Sequence, residues 1–315
     1  MSKIAFLFPG QGSQTVGMAA DFINGESGKL VTNLADGALG FSLSKLMLEG
    51  PQEELTLTYH AQPALLTSGV LVAEQLRAAG IEADFVAGHS LGEYAALVYA
   101  GVLSFEEAVV AVHKRGLYMD EAVPAGEGAM AAVLNMDAEA LEAVCKEATD
   151  AGHPVQLANI NCPGQIVISG TKAGVEHAGV LAKERGAKRV IPLVVSGPFH
   201  SALMSQAAFK LNEHLQTVTI TAPKVPVVSN VTSQLLTSAD EILPELIDQV
   251  TSPVRWQQNV EQLVAQGVTI FIECGPGKVL SGLVKKIAKD VTILSVYDEA
   301  TLQQAAESLK GVEQQ

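Results

Sequence analysis

Short apolar runs set between stretches of helical periodicity mark the first part of the chain. Residues 4–8 and 85–87 are unbroken apolar segments of strand length, the texture of strands buried on both faces of a parallel sheet. Residues 62–79 and 93–100 carry helix-forming patterns, and strands alternating with such segments predict a parallel sheet covered by helices. Ser104 with Glu107 three residues on forms a capping box, which opens a helix running to about Ala122 and stopping before Pro124 and Gly126.

From Gly128 the pattern changes. Strands are expected at 129–134, 155–160, 165–169 and 189–193, with helices at 138–148 and 173–184. This β-α-β-β-α-β order is the split, ferredoxin-like arrangement. Beyond Ser196 the pattern predicts a helix near 202–218, a strand at 226–229, helices near 239–250 and 254–266, and a strand at 269–272. Gly275-Pro276-Gly277 then turns the chain into a last helix at 279–289. The expected architecture is α/β: a large α/β-hydrolase-like domain with a central parallel sheet (residues 1–126 and 197–315), interrupted by a small ferredoxin-like α+β domain (residues 127–196).

Composition narrows the class. In 315 residues, 48% hydrophobic and 17% charged content supports a sizeable core and argues against disorder. The longest uncharged apolar run, residues 95–103, is too short to cross a bilayer. Residues 1–8 run into a Pro-Gly turn with no small-residue cleavage site and are expected to be a strand, not a signal peptide. Three scattered cysteines, Cys145, Cys162 and Cys274, fit neither a disulfide framework nor a zinc site, so a cytoplasmic location is expected. A net charge of −14 argues against nucleic acid and anionic membrane as partners. Within that acidic total, Lys183, Arg185, Lys188 and Arg189 crowd one segment, and Lys278, Lys285, Lys286 and Lys289 another. They are either solvated helix faces or a landing site for an acidic partner.

Gly88-His89-Ser90-Leu91-Gly92 carries the chemistry. A G-x-S-x-G between an apolar strand and a helix is the context of a nucleophile elbow, with the amide of Leu91 a ready oxyanion donor at the helix N-terminus. Of seven histidines, His89 leaves the elbow in another direction, His60, His153, His177 and His214 have polar neighbours, and His113 lies among valines. His200 follows Ser196-Gly197-Pro198-Phe199 where the two domains should meet, which makes it the best candidate base. No Asp or Glu stands in a plausible third position, so a Ser–His dyad with the imidazole oriented by a neutral acceptor is expected. Arg115 falls on the apolar stripe Ala108, Val112, Arg115, Met119. It is either paired with a buried carboxylate or a fork for a substrate carboxylate. Gly10-Gln11-Gly12 lacks the third glycine of a dinucleotide fingerprint, no P-loop lysine follows, and no metal-ligand cluster is seen, so neither cofactor nor metal is expected.

With these residues, the chain resembles the bacterial malonyl-CoA:acyl-carrier-protein transacylases of dissociated fatty acid synthesis, along nearly its whole length. The resemblance rests on Phe8-Pro9-Gly10-Gln11-Gly12-Ser13-Gln14, Gly88 to Glu93, Arg115-Gly116, Ser196 to His200 and Gly275-Pro276-Gly277-Lys278. It implies a malonyl-serine intermediate, with Ser90 as nucleophile, His200 as base and the amides of Gln11 and Leu91 as oxyanion hole. It further implies that Arg115 binds the malonyl carboxylate and that the main-chain carbonyl of Gln249 orients His200. Phe199 would crowd an α-methyl branch, Met119 would lie with the substrate-binding residues, and Asn159 and Asn161 match a loop near the site. The implied partners are malonyl-CoA and an acidic acyl carrier protein, for which the two basic clusters become docking candidates. A trans-acting acyltransferase of a polyketide synthase is the nearest alternative. A thioesterase or lipase-like hydrolase and a non-enzymatic scaffold stand further off.

Overall fold

The computed structural model describes residues 2–312. β1 (Lys3–Phe8) enters the middle of a six-stranded sheet, and five helices precede the next strand: α1 (Ala20–Ile23), α2 (Glu26–Leu39), α3 (Leu43–Glu49), α4 (Gln52–Thr56) and the long α5 (Thr58–Ala78). β2 (Phe85–Gly88) follows, then α6 (Gly92–Tyr99) and α7 (Phe105–Glu121), both packed on α5. The chain then builds a second sheet from β3 (Gly128–Leu134), α8 (Ala138–Asp150), β4 (Val155–Cys162), β5 (Gln165–Thr171), α9 (Lys172–Glu184) and β6 (Arg189–Pro192). It returns through a 3-10 turn at Ala202–Met204 into α10 (Ser205–Leu215), β7 (Val227–Val228), β8 (Leu235–Leu236), α11 (Ala239–Thr251), α12 (Trp256–Ala265) and β9 (Val268–Cys274). The chain closes with α13 (Val279–Ile287), β10 (Thr292–Val296) and α14 (Glu299–Val312).

The large sheet has the order β10-β9-β1-β2-β7-β8 and is parallel except at the β7–β8 hairpin. Its strands are apolar because both faces are covered. Side chains alternate across a strand, so Phe6, Phe8, Val86 and Ile272 enter one core while Ala5, Leu7, Phe85 and Phe271 enter the other. The second sheet, β4-β5-β3-β6, is antiparallel and has its own core beneath α8 and α9. This is the expected pair: a mostly parallel sheet within α/β layers and a separate ferredoxin-like unit. The two meet where Ile160 N–H donates to Val254 O and Val254 N–H to Ala158 O, each at 2.8 Å.

Several elements depart from the sequence expectation. The helix at 279–289 is not the last, since β10 and α14 follow it, and α1 to α4 were not anticipated. The helix expected at 202–218 starts as a 3-10 turn and ends at Leu215. Ser104 does cap α7, accepting from Glu107 N–H at 3.2 Å, but the reciprocal half of the box is absent. Glu107 instead accepts from the Ser104 hydroxyl at 2.7 Å and from Thr219 N–H at 3.0 Å. Among the described residues no helix is long and apolar enough to cross a membrane.

Parallel pairing aligns the strand ends that matter. Phe8 of β1 faces Gly88 of β2, so the loops after both strands leave the same, C-terminal edge of the sheet. That edge is where α/β sheets place their sites.

Candidate active site

The elbow is built by close backbone approach. A Cβ on Gly88 would lie 1.9 Å from the carbonyl carbon of Gly92, and one on Gly92 would lie 2.1 Å from Phe8 O. Only glycine at both positions lets β2 turn straight into α6 against β1. Ser90 at the apex has φ 54, a left-handed conformation that a non-glycine residue holds only when its surroundings fix it. What fixes it is Asn230: its Oδ1 accepts Ser90 N–H at 2.7 Å, and its Nδ2 donates to Gly88 O at 2.7 Å. The N–H of Leu91, at the start of α6, has no protein acceptor among the described residues.

His200 is also left-handed, at φ 55, and buried. Its Nδ1 lies 2.8 Å from Gln249 O, which can only accept, so Nδ1 carries the proton and Nε2 is free to accept. Ser90 Oγ stands 2.8 Å from that Nε2. Burial first, and then the field of Arg115, holds the imidazole down to about 3. It is therefore a neutral base at ordinary pH. Among the described residues no carboxylate takes the third position; the carbonyl of Gln249 does the orienting.

Arg115 lies on the buried side of α7. It is 1% exposed, yet no carboxylate lies within 4.0 Å of it among the described residues. Its Nη1 donates to Gln62 Oε1 at 2.8 Å, and its Nη2 to Gln249 Oε1 at 2.9 Å and to Ser90 Oγ at 3.0 Å. Nε has no partner among the described residues. A buried cation without an adjacent anion costs several kcal/mol, so such a site favours an incoming carboxylate.

Gln249 makes more contacts than its main-chain carbonyl. Its Nε2 donates to Ser90 O at 2.9 Å and to Glu93, whose other oxygen accepts Asn230 N–H at 3.1 Å. Burial, with a smaller push from the charge of Glu245, raises the Glu93 carboxyl to about 8, against the opposing pull of Gln249, Asn230 and Arg115.

The remaining expected residues take these places. The Gln11 side chain donates to Thr58 Oγ1 at 3.3 Å, and Thr58 bonds Ser196 Oγ at 2.8 Å, which donates to Asp120 at 2.5 Å. That chain ties the Gln11 loop to α5, α7 and the segment leading to His200. Met119 is buried, and its sulfur accepts from Gln62 Nε2 at 3.8 Å. Phe199 is buried beside Gly197. Asn159 is buried on β4, bridged to Val254. It is Asn161 that touches the elbow, accepting from His89 Nε2 at 2.9 Å, while the His89 ring packs on Trp256. Gln62, Asn230 and the Gln249 side chain were not singled out from the sequence, and Glu93 entered only as the last residue of the Gly88 motif. Gln and Asn are common, and nothing in their spacing shows that four distant elements bring them together.

Residues 5–307 match the family model described as acyl transferase domain. The malonyl CoA-acyl carrier protein transacylase of Bacillus subtilis (strain 168) is 57% identical over 311 residues, 98% of each chain. The crystal structure of an acyl carrier protein S-malonyltransferase from Vibrio cholerae superposes with a TM-score of 0.94 at 47% identity, covering 96% of this chain and 100% of that one. A malonyl-transacylase solved in complex with a type II PKS acyl-carrier protein is 43% identical, with a TM-score of 0.94 over 98% of this chain and 100% of that one.

Proposed function

We propose how the residues of this chain, which belongs to the acyl transferase family and within it to the malonyl CoA-acyl carrier protein transacylases, divide the work of its reaction. The chain is an enzyme that moves the malonyl group from malonyl-CoA to acyl carrier protein, in fatty acid synthesis. In the proposed division, Ser90 Oγ attacks the thioester carbonyl and gives its proton to Nε2 of His200. The carbon–sulfur bond breaks, and the coenzyme A sulfur takes that proton as it leaves. The thiol of the carrier protein's phosphopantetheine then attacks the malonyl-serine ester. His200 accepts the thiol proton and returns it to Ser90.

The amides of Gln11 and Leu91 hold the oxyanion in both halves, and the carbonyl of Gln249 keeps His200 in the right tautomer. Arg115 receives the malonyl carboxylate. The observation that carries this assignment is one hydroxyl, Ser90 Oγ, bonded to both the neutral base at 2.8 Å and, at 3.0 Å, the guanidinium that no described carboxylate touches. Nucleophile and anion receptor adjoin, as a short acyl chain ending in a carboxylate requires. Met119 and Phe199 wall the acyl pocket, with Phe199 crowding an α-methyl branch, and Asn159 lines its small-domain side. The unit at 127–196, with a sheet and core of its own, would then close one side of a site carried by 1–126 and 197–315.

The acidic carrier protein would dock on Lys183, Arg185, Lys188 and Arg189, on Lys278, Lys285 and Lys286, or on both groups. All are exposed, although Arg185 is paired with Glu147 and Lys286 donates to Gln165. The three buried free cysteines support a reducing, cytoplasmic setting. Peptide mapping after brief exposure to malonyl-CoA tests the core of the proposal: the adduct should sit on Ser90 and be lost in Ser90→Ala. An adduct elsewhere, or one that survives the substitution, would overturn it.

A further inference from the structure

Glu93 lies in the first turn of α6, three residues past the nucleophile, and the transfer described above gives it no part. It is 1% exposed, and a carboxyl so buried needs a reason. The reason is legible in who donates to whom. Arg115 has donors only, so Gln249 must turn Oε1 toward the guanidinium, at 2.9 Å. The amide nitrogen of Gln249 is then committed to Glu93 and to Ser90 O. The second carboxyl oxygen accepts from Asn230 N–H. Both oxygens of Glu93 face donors, and among the described residues no acceptor is bonded to it, so the hydrogen bonding favours a carboxylate against the burial and the Glu245 charge that raise it.

We propose that Glu93 is the counter-charge of Arg115, held one amide away with Gln249 as the spacer, and that this spacing leaves the guanidinium open to the substrate's carboxylate. The inference rests on the assignment of Arg115 as the carboxylate receptor. Cation, amide and anion are lined up so that the amide dipole is polarised in its favourable sense, oxygen to the cation and N–H to the anion. A carboxylate directly on Arg115 would fill its fork with a permanent partner. With no anion nearby, the guanidinium would be buried uncompensated. Glu93 also grips Asn230 and Gln249 together, the two residues that hold Ser90 N–H and Ser90 O. It is a positioning residue and does not touch the reacting atoms.

A stability cycle and an exchange of side chains test this, both at pH 8.5, above the value to which burial lifts this carboxyl. Glu93→Gln should lower the melting temperature by about 3 °C or more in the parent and by much less in an Arg115→Gln background. An equal drop in both backgrounds would overturn the counter-charge. The exchange Glu93→Gln with Gln249→Glu keeps the charge and the bond between the two side chains, gives up the donor to Ser90 O, and seats the carboxylate directly on Arg115. It should fold, and its preference for malonyl-CoA over acetyl-CoA, as the ratio of kcat/KM for Ser90 loading, should fall at least about tenfold. Retention of the parent's preference would overturn the spacer. If Glu93→Gln alone does not fold, the exchange decides. Arg115→Gln separates the two levels, because a preference that survives it would fail the carboxylate receptor itself and leave the stability cycle to judge the counter-charge.

Discussion

The guanidinium of Arg115 donates to the hydroxyl of Ser90 at 3.0 Å. In the proposed division of work, one contact therefore joins the group that attacks and the group that recognises the acyl chain's far end. The same guanidinium holds a cation beside an oxygen that must lose its proton, which favours the developing negative charge. On that proposal, selectivity and reactivity share a side chain.

Loss of the base should be severe without abolishing acyl-CoA binding. His200→Ala is expected to slow Ser90 loading by about 100- to 10,000-fold, the usual contribution of a placed general base. Single-turnover loading rates check it, and a change of less than about fivefold would contradict the role.

The pH dependence follows from the imidazole's depressed value of about 3. The neutral form that accepts the Ser90 proton exists above that value and is lost as pH falls through it. Loading through this group should thus be flat from roughly pH 5 to 8 and decline only in stronger acid. A break near 6.5, where an ordinary histidine titrates, would contradict the account. Stability carries the same sign. The unfolded chain takes up this proton near 6.5 and the folded chain only near 3, so His200 makes folding less favourable as pH drops across that window.

The elbow glycines should tolerate nothing larger. Gly88→Ala places a methyl carbon 1.9 Å from backbone of Gly92, where no side chain can swing aside. A cost of about 3 kcal/mol or more is expected in urea unfolding. A variant within about 0.5 kcal/mol of the parent would mean that the turn is looser than described.

Charge reversal on the small domain tests carrier docking. Lys183→Glu with Lys188→Glu, both on exposed positions, should raise KM for the carrier protein several-fold and leave loading from malonyl-CoA unchanged. An unchanged KM would move the docking face to Lys278, Lys285 and Lys286.

Much of this architecture can be read in the sequence because local and global demands agree there. The strands at Lys3–Phe8 and Phe85–Gly88 are apolar on both faces, and the elbow's glycines are forced by backbone contact. Arg115 was visible as a cation on an apolar stripe, though only the structure shows that its neighbours are amides and a hydroxyl. What escaped was non-local. Asn230 reaches the nucleophile across 140 positions, Gln249 across 159 and Gln62 reaches Arg115 across 53. Helices α1, α3 and α4 are short, at 4, 7 and 5 residues, and the longer α2 packs on α5 and α7. The strand β10 owes its place to pairing with β9, and α14 to packing on β10.

The most direct measurement is the competition of malonyl-CoA and acetyl-CoA for Ser90, read by intact-mass spectrometry in the parent and in Arg115→Ala. The account predicts a malonyl adduct strongly preferred in the parent, with that preference falling about 100-fold in Arg115→Ala as the charged partner of the carboxylate is removed. Equal loading of the two acyl groups by the parent, or a preference that survives in Arg115→Ala, would contradict it.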